Sequence, residues 1–217
     1  MLKLLIFDLD GTLFDTTRSM AACGNAALEH LGIEPVSKEV YAAASGGGVR
    51  EFVMAVLYAA GQKDDRLLDA FWDVYIEKQR TLVTEELNRP YPGIRELLAA
   101  AKEKGLLLAA YSNKDEESVV NIVRSVLGDG TFDLILGCVD ERPPKPDPTG
   151  ARLILDKLGI KPEEALYLGD TEIDMETANR AGIPAAGVLW GYRTKEQLAA
   201  FHPAYLPESP GDILKLL

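Results

Sequence analysis

Apolar residues along the chain fall into two rhythms: short unbroken runs, and longer stretches at helical spacing. Five runs read as strands, over residues 3–8, 106–112, 132–137, 165–169 and 185–190. Their apolar character does not alternate, which suits strands covered on both faces. Helical patterns lie between the later runs. Ile94, Leu97, Leu98 and Ala101 share a face ahead of Gly105, and Val119, Val123, Val126 and Leu127 do so ahead of Gly128, each glycine being a natural helix stop. Segments 152–158 and 172–181, the latter closed by Gly182, complete the alternation. Strands alternating with helices predict an α/β fold with a parallel sheet and right-handed crossovers.

The first two strands are separated by about ninety residues, where one crossover helix would suffice. The insert reads as helical. Met20, Cys23, Ala27, Leu28 and Leu31 keep a 3.6-residue period before Gly32, and Phe52, Val53, Val56 and Leu57 form another face before Gly61. A long pattern runs over 64–87 with Leu67, Leu68, Phe71, Val74, Tyr75 and Lys78 near one side, and Pro90-Tyr91-Pro92-Gly93 then breaks the chain. The expected organisation is a core from 1–14 and 92–217 and a helical cap over 15–91. Two linkers joining them form a natural hinge; the competing reading is that these helices pad the core. The tail, 201–217, reads as turns leading into a short closing helix.

Composition narrows the function. With 217 residues, 47% of them apolar, the chain can bury a sizeable core, and its formal charge of −11 argues against binding a phosphate backbone. No nucleic acid partner is expected. An acidic protein that handles an anionic substrate needs placed cations. Cys23 and Cys138 form no CxxC pair, and His30 and His202 lack spaced partners, so neither a thiol redox motif nor a zinc site is suggested. Asp8 interrupts the first apolar run too early for a signal peptide, and no stretch reaches membrane-spanning length. A cytoplasmic protein with no membrane partner is the expectation.

Directly behind the first run stand Asp8-Leu9-Asp10-Gly11-Thr12. Two carboxylates leaving one strand end raise each other's pKa, a cost that a divalent cation removes. An acidic turn or helix cap is the plain alternative. A calcium loop does not fit, because its glycine belongs at the sixth position and here it is fourth. Ligands of open parallel sheets bind beyond the carboxyl ends of the strands, and those ends carry Ser112-Asn113-Lys114, the proline-flanked Lys145, and Gly169-Asp170-Thr171 with Asp174. Each could be a turn, a cap or a rigid loop. Those readings do not explain why hydroxyl, ammonium and carboxylates collect at one edge.

The ordered set Asp8-x-Asp10-Gly11-Thr12, Ser112, Lys145 and Gly169-Asp170-x-x-x-Asp174 resembles the four motifs of the haloacid dehalogenase-like superfamily. Tyr91-Pro92-Gly93 and the segment 187–192 add a likeness to its phosphoglycolate and sugar-phosphate phosphatases. The resemblance implies a Rossmann-like core with an inserted mobile cap, and a magnesium-dependent hydrolase of small phosphorylated metabolites. It implies Asp8 as nucleophile through an aspartyl-phosphate, and Asp10 as proton carrier. Magnesium would be held by Asp8, Asp10, Asp170 and Asp174, the last supporting the metal or orienting Lys145. Thr12, Ser112, Asn113 and Lys145 would bind phosphate. Asp10 speaks against dehalogenation and phosphonate cleavage; a phosphosugar mutase and a noncatalytic phospho-acceptor module are the alternatives. In the cap, Gly47 and Arg50 of Ser45-Gly46-Gly47-Gly48-Val49-Arg50 are candidate substrate-specificity residues, Arg50 as a grip for a carboxylate or second phosphate. The glycines could equally serve as a spacer between helices.

Overall fold

The computed structural model describes residues 1–217. From β1 (Leu4–Phe7) the chain passes through β2 (Phe14–Asp15) into α1 (Thr17–His30), α2 (Lys38–Ala44), α3 (Val49–Ala59) and α4 (Leu67–Thr81). It returns by β3 (Arg89–Pro90), antiparallel to β2. Helices and strands then alternate: α5 (Ile94–Glu103), β4 (Leu107–Asp115), α6 (Glu116–Leu127), β5 (Leu134–Cys138), α7 (Thr149–Leu158), β6 (Ala165–Gly169), α8 (Glu172–Ala181) and β7 (Ala185–Gly187). Short helices α9 (Lys195–Ala199) and α10 (Pro210–Leu214) close the chain. No helix is long and apolar enough to cross a membrane.

The five-stranded sheet is all parallel, in the order β5-β4-β1-β6-β7. Alternate residues of β1 face opposite layers, as pleating requires. Leu5 and Phe7 pack with Ile94, Val119 and Ile213 from α5, α6 and α10, while Leu4 and Ile6 pack with Ile154, Met175 and Leu198 from α7, α8 and α9. This double cover is why the strands read as unbroken apolar runs. Because β1 lies mid-sheet with successive strands on either side, the crevice for a ligand opens at its carboxyl end.

Helices α1 to α4 bury a third cluster, including Met20, Leu28, Tyr41, Phe52, Phe71 and Tyr75, separate from the two sheet layers. The β2–β3 pair is the double crossing between this helical unit and the sheet. Side chains also tie the two together: Arg80 on α4 pairs with Asp115 and Glu117, and Arg193 donates to the Ser45 carbonyl.

Several elements depart from the sequence reading. Helix α4 ends at Thr81 rather than near 87, because the buried Asn88 amide donates to the carbonyls of Leu82 and Thr84 and fixes a turn into β3. Strand β7 stops at Gly187 rather than 190. Beyond it the chain leaves the sheet, bringing Trp190 Nε1 to the Thr12 carbonyl and the Tyr192 amide to Asp170. Strand β4 runs on through polar residues to Asp115. Helix α2 lies outside the predicted helical patterns, because it buries only Tyr41 and so carries no periodic stripe.

Phe71 is fully buried in the helical unit's cluster, so Phe71→Ala should destabilise the protein by about 3–5 kcal/mol. Urea unfolding measures this; a loss below about 1 kcal/mol would mean the cluster does not hold these helices together.

Candidate active site

Asp8 follows the last residue of β1, where the strand's direction carries its carboxylate into the crevice. Two glycines give the carboxylates room. Gly11 has φ +84, and a Cβ there would sit 2.6 Å from the Asp170 carboxyl carbon; a Cβ at Gly169 would overlap Asp174. Both positions therefore exclude any side chain. Asp170 and Asp174 enter from the start of α8, whose capping box uses Thr171 and Asp174.

Lys145 sits at the middle of the cluster, almost wholly buried. Its ammonium donates to Asp8 Oδ1 at 2.6 Å and to Asp174 Oδ1 at 2.6 Å, and lies 3.4 Å from the Tyr111 carbonyl. The rings of Tyr111 and Tyr167 flank it, with centroids at 5.5 and 6.0 Å, within cation–π range. Asn113 fixes the lysine's loop from both sides: its amide donates to the Lys145 carbonyl and its oxygen accepts from the Lys145 amide. Burial works to lower the Lys145 pKa, but Asp174 and Asp8 outweigh it, so the ammonium stays charged.

Asp8, Asp170 and Asp174 form a buried trio whose oxygens lie within 4.8 Å of one another. Burial first, then repulsion from Asp174, holds the Asp8 carboxyl well above its ordinary value despite Lys145. Burial and Asp174 push Asp170 up to about 7, against the pull of the Tyr192 amide and Thr12 hydroxyl that donate to it. Asp174 is fully engaged, with Oδ1 on Lys145 and Oδ2 accepting from the Thr171 amide and hydroxyl.

The cleft over these residues is lined on the sheet side by Asp8, Asp10, Ser112, Asn113, Lys114, Lys145 and Thr171. Its other wall is the loop 45–48 with Met20, Val49, Phe52, Trp72, Tyr75 and Gln79. Gly47 is thus at the cleft, and the glycine loop is a wall as well as a spacer. The neighbouring Gly46 lies against Thr171, where a Cβ would come within 3.1 Å of the threonine methyl.

Two expected residues stand elsewhere. Arg50 is exposed and pairs with Asp65; it does not line this cleft but a neighbouring cavity, together with Val49, Trp72, Asp115 and Asp140. Thr12 is wholly buried, donates its hydroxyl to Asp170 Oδ1 and does not line the cleft, so in this structure it braces a carboxylate. The carboxylate of Asp10 is not part of the trio; it accepts from Thr16 at 2.5 Å and faces Lys114 at 3.2 Å. The sequence pattern assigns Lys114 no role of its own. Its signal was strand alternation, since it follows Ser112 by two and shares its face. Of the cleft residues of α4, Tyr75 reads as part of the helix's apolar side, and nothing in its spacing separates a core face from a cleft wall.

A family model described as haloacid dehalogenase-like hydrolase matches residues 5–188. A phosphoglycolate phosphatase of Aquifex aeolicus is 36% identical over 100% of this chain and 97% of its own length. An N-acetylmuramic acid 6-phosphate phosphatase of Pseudomonas aeruginosa is 33% identical over 100% of this chain and 95% of its own. Among solved structures, CbbY of Rhodobacter sphaeroides in complex with phosphate matches with a TM-score of 0.83 at 25% identity, covering 98% of this chain and 96% of that one.

The raised carboxyl groups give a pH dependence. Between the ordinary value of 3.8 and about 7 the folded Asp170 keeps a proton that the unfolded chain has released, so stability is lost as pH rises through that window. Carboxylates held low, such as Asp115 and Glu172, oppose the trend only near their ordinary values of 3.8 and 4.5, and above about pH 5.5 they are ionised in both states and leave it unopposed. In chelator, Tm should fall as pH rises from about 5 to about 8, and Asp170→Asn should flatten the slope. A wild-type Tm that rises over this range contradicts the assignment.

Proposed function

The chain belongs to the haloacid dehalogenase-like hydrolase family, and from that we propose that it is a phosphatase that hydrolyses a small phosphate monoester of the phosphoglycolate or sugar-phosphate class. The observation that carries this reading is the buried Lys145 ammonium clamped between Asp8 and Asp174 on the sheet side of the cleft. A buried carboxylate oriented by a cation, with one oxygen free, is what nucleophilic attack on phosphorus requires.

In the proposed reaction the free Oδ2 of Asp8 attacks the phosphorus and the ester P–O bond breaks. Asp10 gives its proton to the departing oxygen. Asp10 then takes a proton from a water that attacks the phosphorus of the aspartyl-phosphate, freeing phosphate and restoring Asp8. One residue can carry both proton transfers because the second step reverses the demand of the first. Ser112 Oγ accepts the Lys114 amide at 3.1 Å, so its own proton is free to donate to a phosphoryl oxygen. Lys145 offsets the charge gathering there.

A divalent cation fits the donor set. The trio offers only hard oxygen ligands, and Asp8 and Asp170, raised by burial first and by the Asp174 charge second, are groups whose ionised forms a cation would stabilise. Asp8, Asp170 and the main-chain carbonyl of Asp10 would hold magnesium, while Asp174, committed to Lys145 and Thr171, supports them from behind. When bound, the ion supplies positive charge that lets a dianionic phosphate approach an aspartate. The helical unit acts as the cap, closing the cleft with its 45–48 loop.

A panel of phosphate monoesters assayed with magnesium tests the reading. Wild type should turn over at least one ester, lose activity in chelator and regain it on adding magnesium. Asp8→Asn should fold normally and lose activity by at least about a thousand-fold. Near-normal turnover by that variant excludes Asp8 as nucleophile, and inactivity of the wild type on every ester contradicts the phosphatase reading.

A magnesium titration gives a separate readout. The ion should raise the wild-type Tm, more at about pH 8 than at about pH 6, because metal and proton compete for the same carboxylates. Asp170→Asn should abolish that rise; an unchanged rise would place the metal elsewhere.

A further inference from the structure

The cleft holds two lysines, and only one has its charge fully spent. Lys145 divides its ammonium among Asp8, Asp174 and the Tyr111 carbonyl. Lys114, whose side chain is 4% exposed, has a single carboxylate within 4 Å, Asp10 Oδ1 at 3.2 Å. That oxygen already accepts the Thr16 hydroxyl at 2.5 Å. An ammonium has three donors, and a nearly buried cation with one shared partner has unused capacity at considerable electrostatic cost. The other wall near it supplies no anion: Met20, Phe52, Trp72, Tyr75 and Gln79 are neutral, and the Gln79 amide is turned to the Tyr75 hydroxyl. Arg50, the other candidate for an anion, pairs with Asp65 and does not line this cleft.

We infer that Lys114 is the specificity-determining residue of this site, reading a carboxylate on the leaving group close to the scissile ester oxygen. The inference rests on the phosphatase reading above. Its geometry follows from Asp10. As proton carrier, the Asp10 carboxyl must touch the ester oxygen, and the Lys114 ammonium touches that same carboxyl. Leaving-group atoms one or two bonds beyond the ester oxygen therefore pass beside Lys114. A carboxylate at that distance belongs to the phosphate ester of a short 2-hydroxy acid. It would replace Asp10 as the lysine's partner in a charge-assisted hydrogen bond. A neutral leaving group of the same size leaves Lys114 on Asp10 and gains nothing from it.

The matched pair for the test is phosphoglycolate and 2-hydroxyethyl phosphate, which differ by carboxylate against hydroxymethyl. Wild type should favour phosphoglycolate in kcat/KM by about ten-fold or more, the worth of one hydrogen bond to a charged partner. Lys114→Met should bring the two esters within about two-fold of each other, and Lys114→Arg should restore most of the preference. If Lys114 only positions Asp10, Lys114→Met lowers both esters in proportion and the ratio stays, which overturns the inference. Equal efficiencies in the wild type also overturn it, with no variant needed. Should the wild type hydrolyse neither ester but turn over others in the panel, the inference alone fails; inactivity on all of them removes the phosphatase reading with it.

Discussion

The site is organised around one buried ammonium. Lys145 joins three elements that are far apart in sequence: Asp8 at the end of β1, Asp174 in the first turn of α8, and its own proline-flanked loop after β5. Charges about 4 Å apart interact by about 4 kcal/mol at an effective dielectric of 20. Removing the ammonium would leave the Asp8, Asp170 and Asp174 carboxylates facing one another without an internal counterion. The surrounding structure serves this contact. Asn113 pins the loop, Tyr111 and Tyr167 wall the ammonium in, and Thr171 holds Asp174 in register.

Even so, the internal cations do not balance the site. Four carboxylates, Asp8, Asp10, Asp170 and Asp174, face two ammoniums, Lys114 and Lys145, in a chain whose net charge is −11. Part of the imbalance is met by keeping Asp8 and Asp170 protonated more readily than a free carboxylate. A bound divalent cation is the other way to meet it. Under the proposed reaction, the same imbalance would make a phosphate dianion depend on a metal for entry, and would let the Lys114 charge bear on which leaving group the cleft accepts alongside the phosphate.

Much of this was legible in the sequence, for identifiable reasons. The sheet announced itself because both faces of β1, β4 and β6 are covered, which forces unbroken apolar runs. The insertion was legible as an overlong gap between strands. Asp8, Ser112, Lys145, Asp170 and Asp174 stood out because each lies at or beyond the carboxyl-terminal part of a strand, and parallel strands end at one edge. What stayed hidden depends on side-chain direction. Arg50 reads as a cationic reach from a glycine loop, yet its place on α3 turns it to Asp65. Thr12 sits inside the first motif, yet its hydroxyl turns inward to Asp170. Trp72, Tyr75 and Gln79 share α4's buried face with core residues, and only the packing of the helical unit over the sheet makes them a cleft wall.

The central claim is that the oxygen of Asp8 left free by Lys145 takes the phosphoryl group. Rapid mixing with a hydrolysed ester and magnesium, acid quenching within one turnover, and peptide mapping by mass spectrometry test it directly. The account predicts one added phosphoryl group on the peptide spanning Asp8, appearing and decaying at rates that match turnover. Turnover that proceeds with no such adduct, or with the phosphoryl group on another residue, would contradict it.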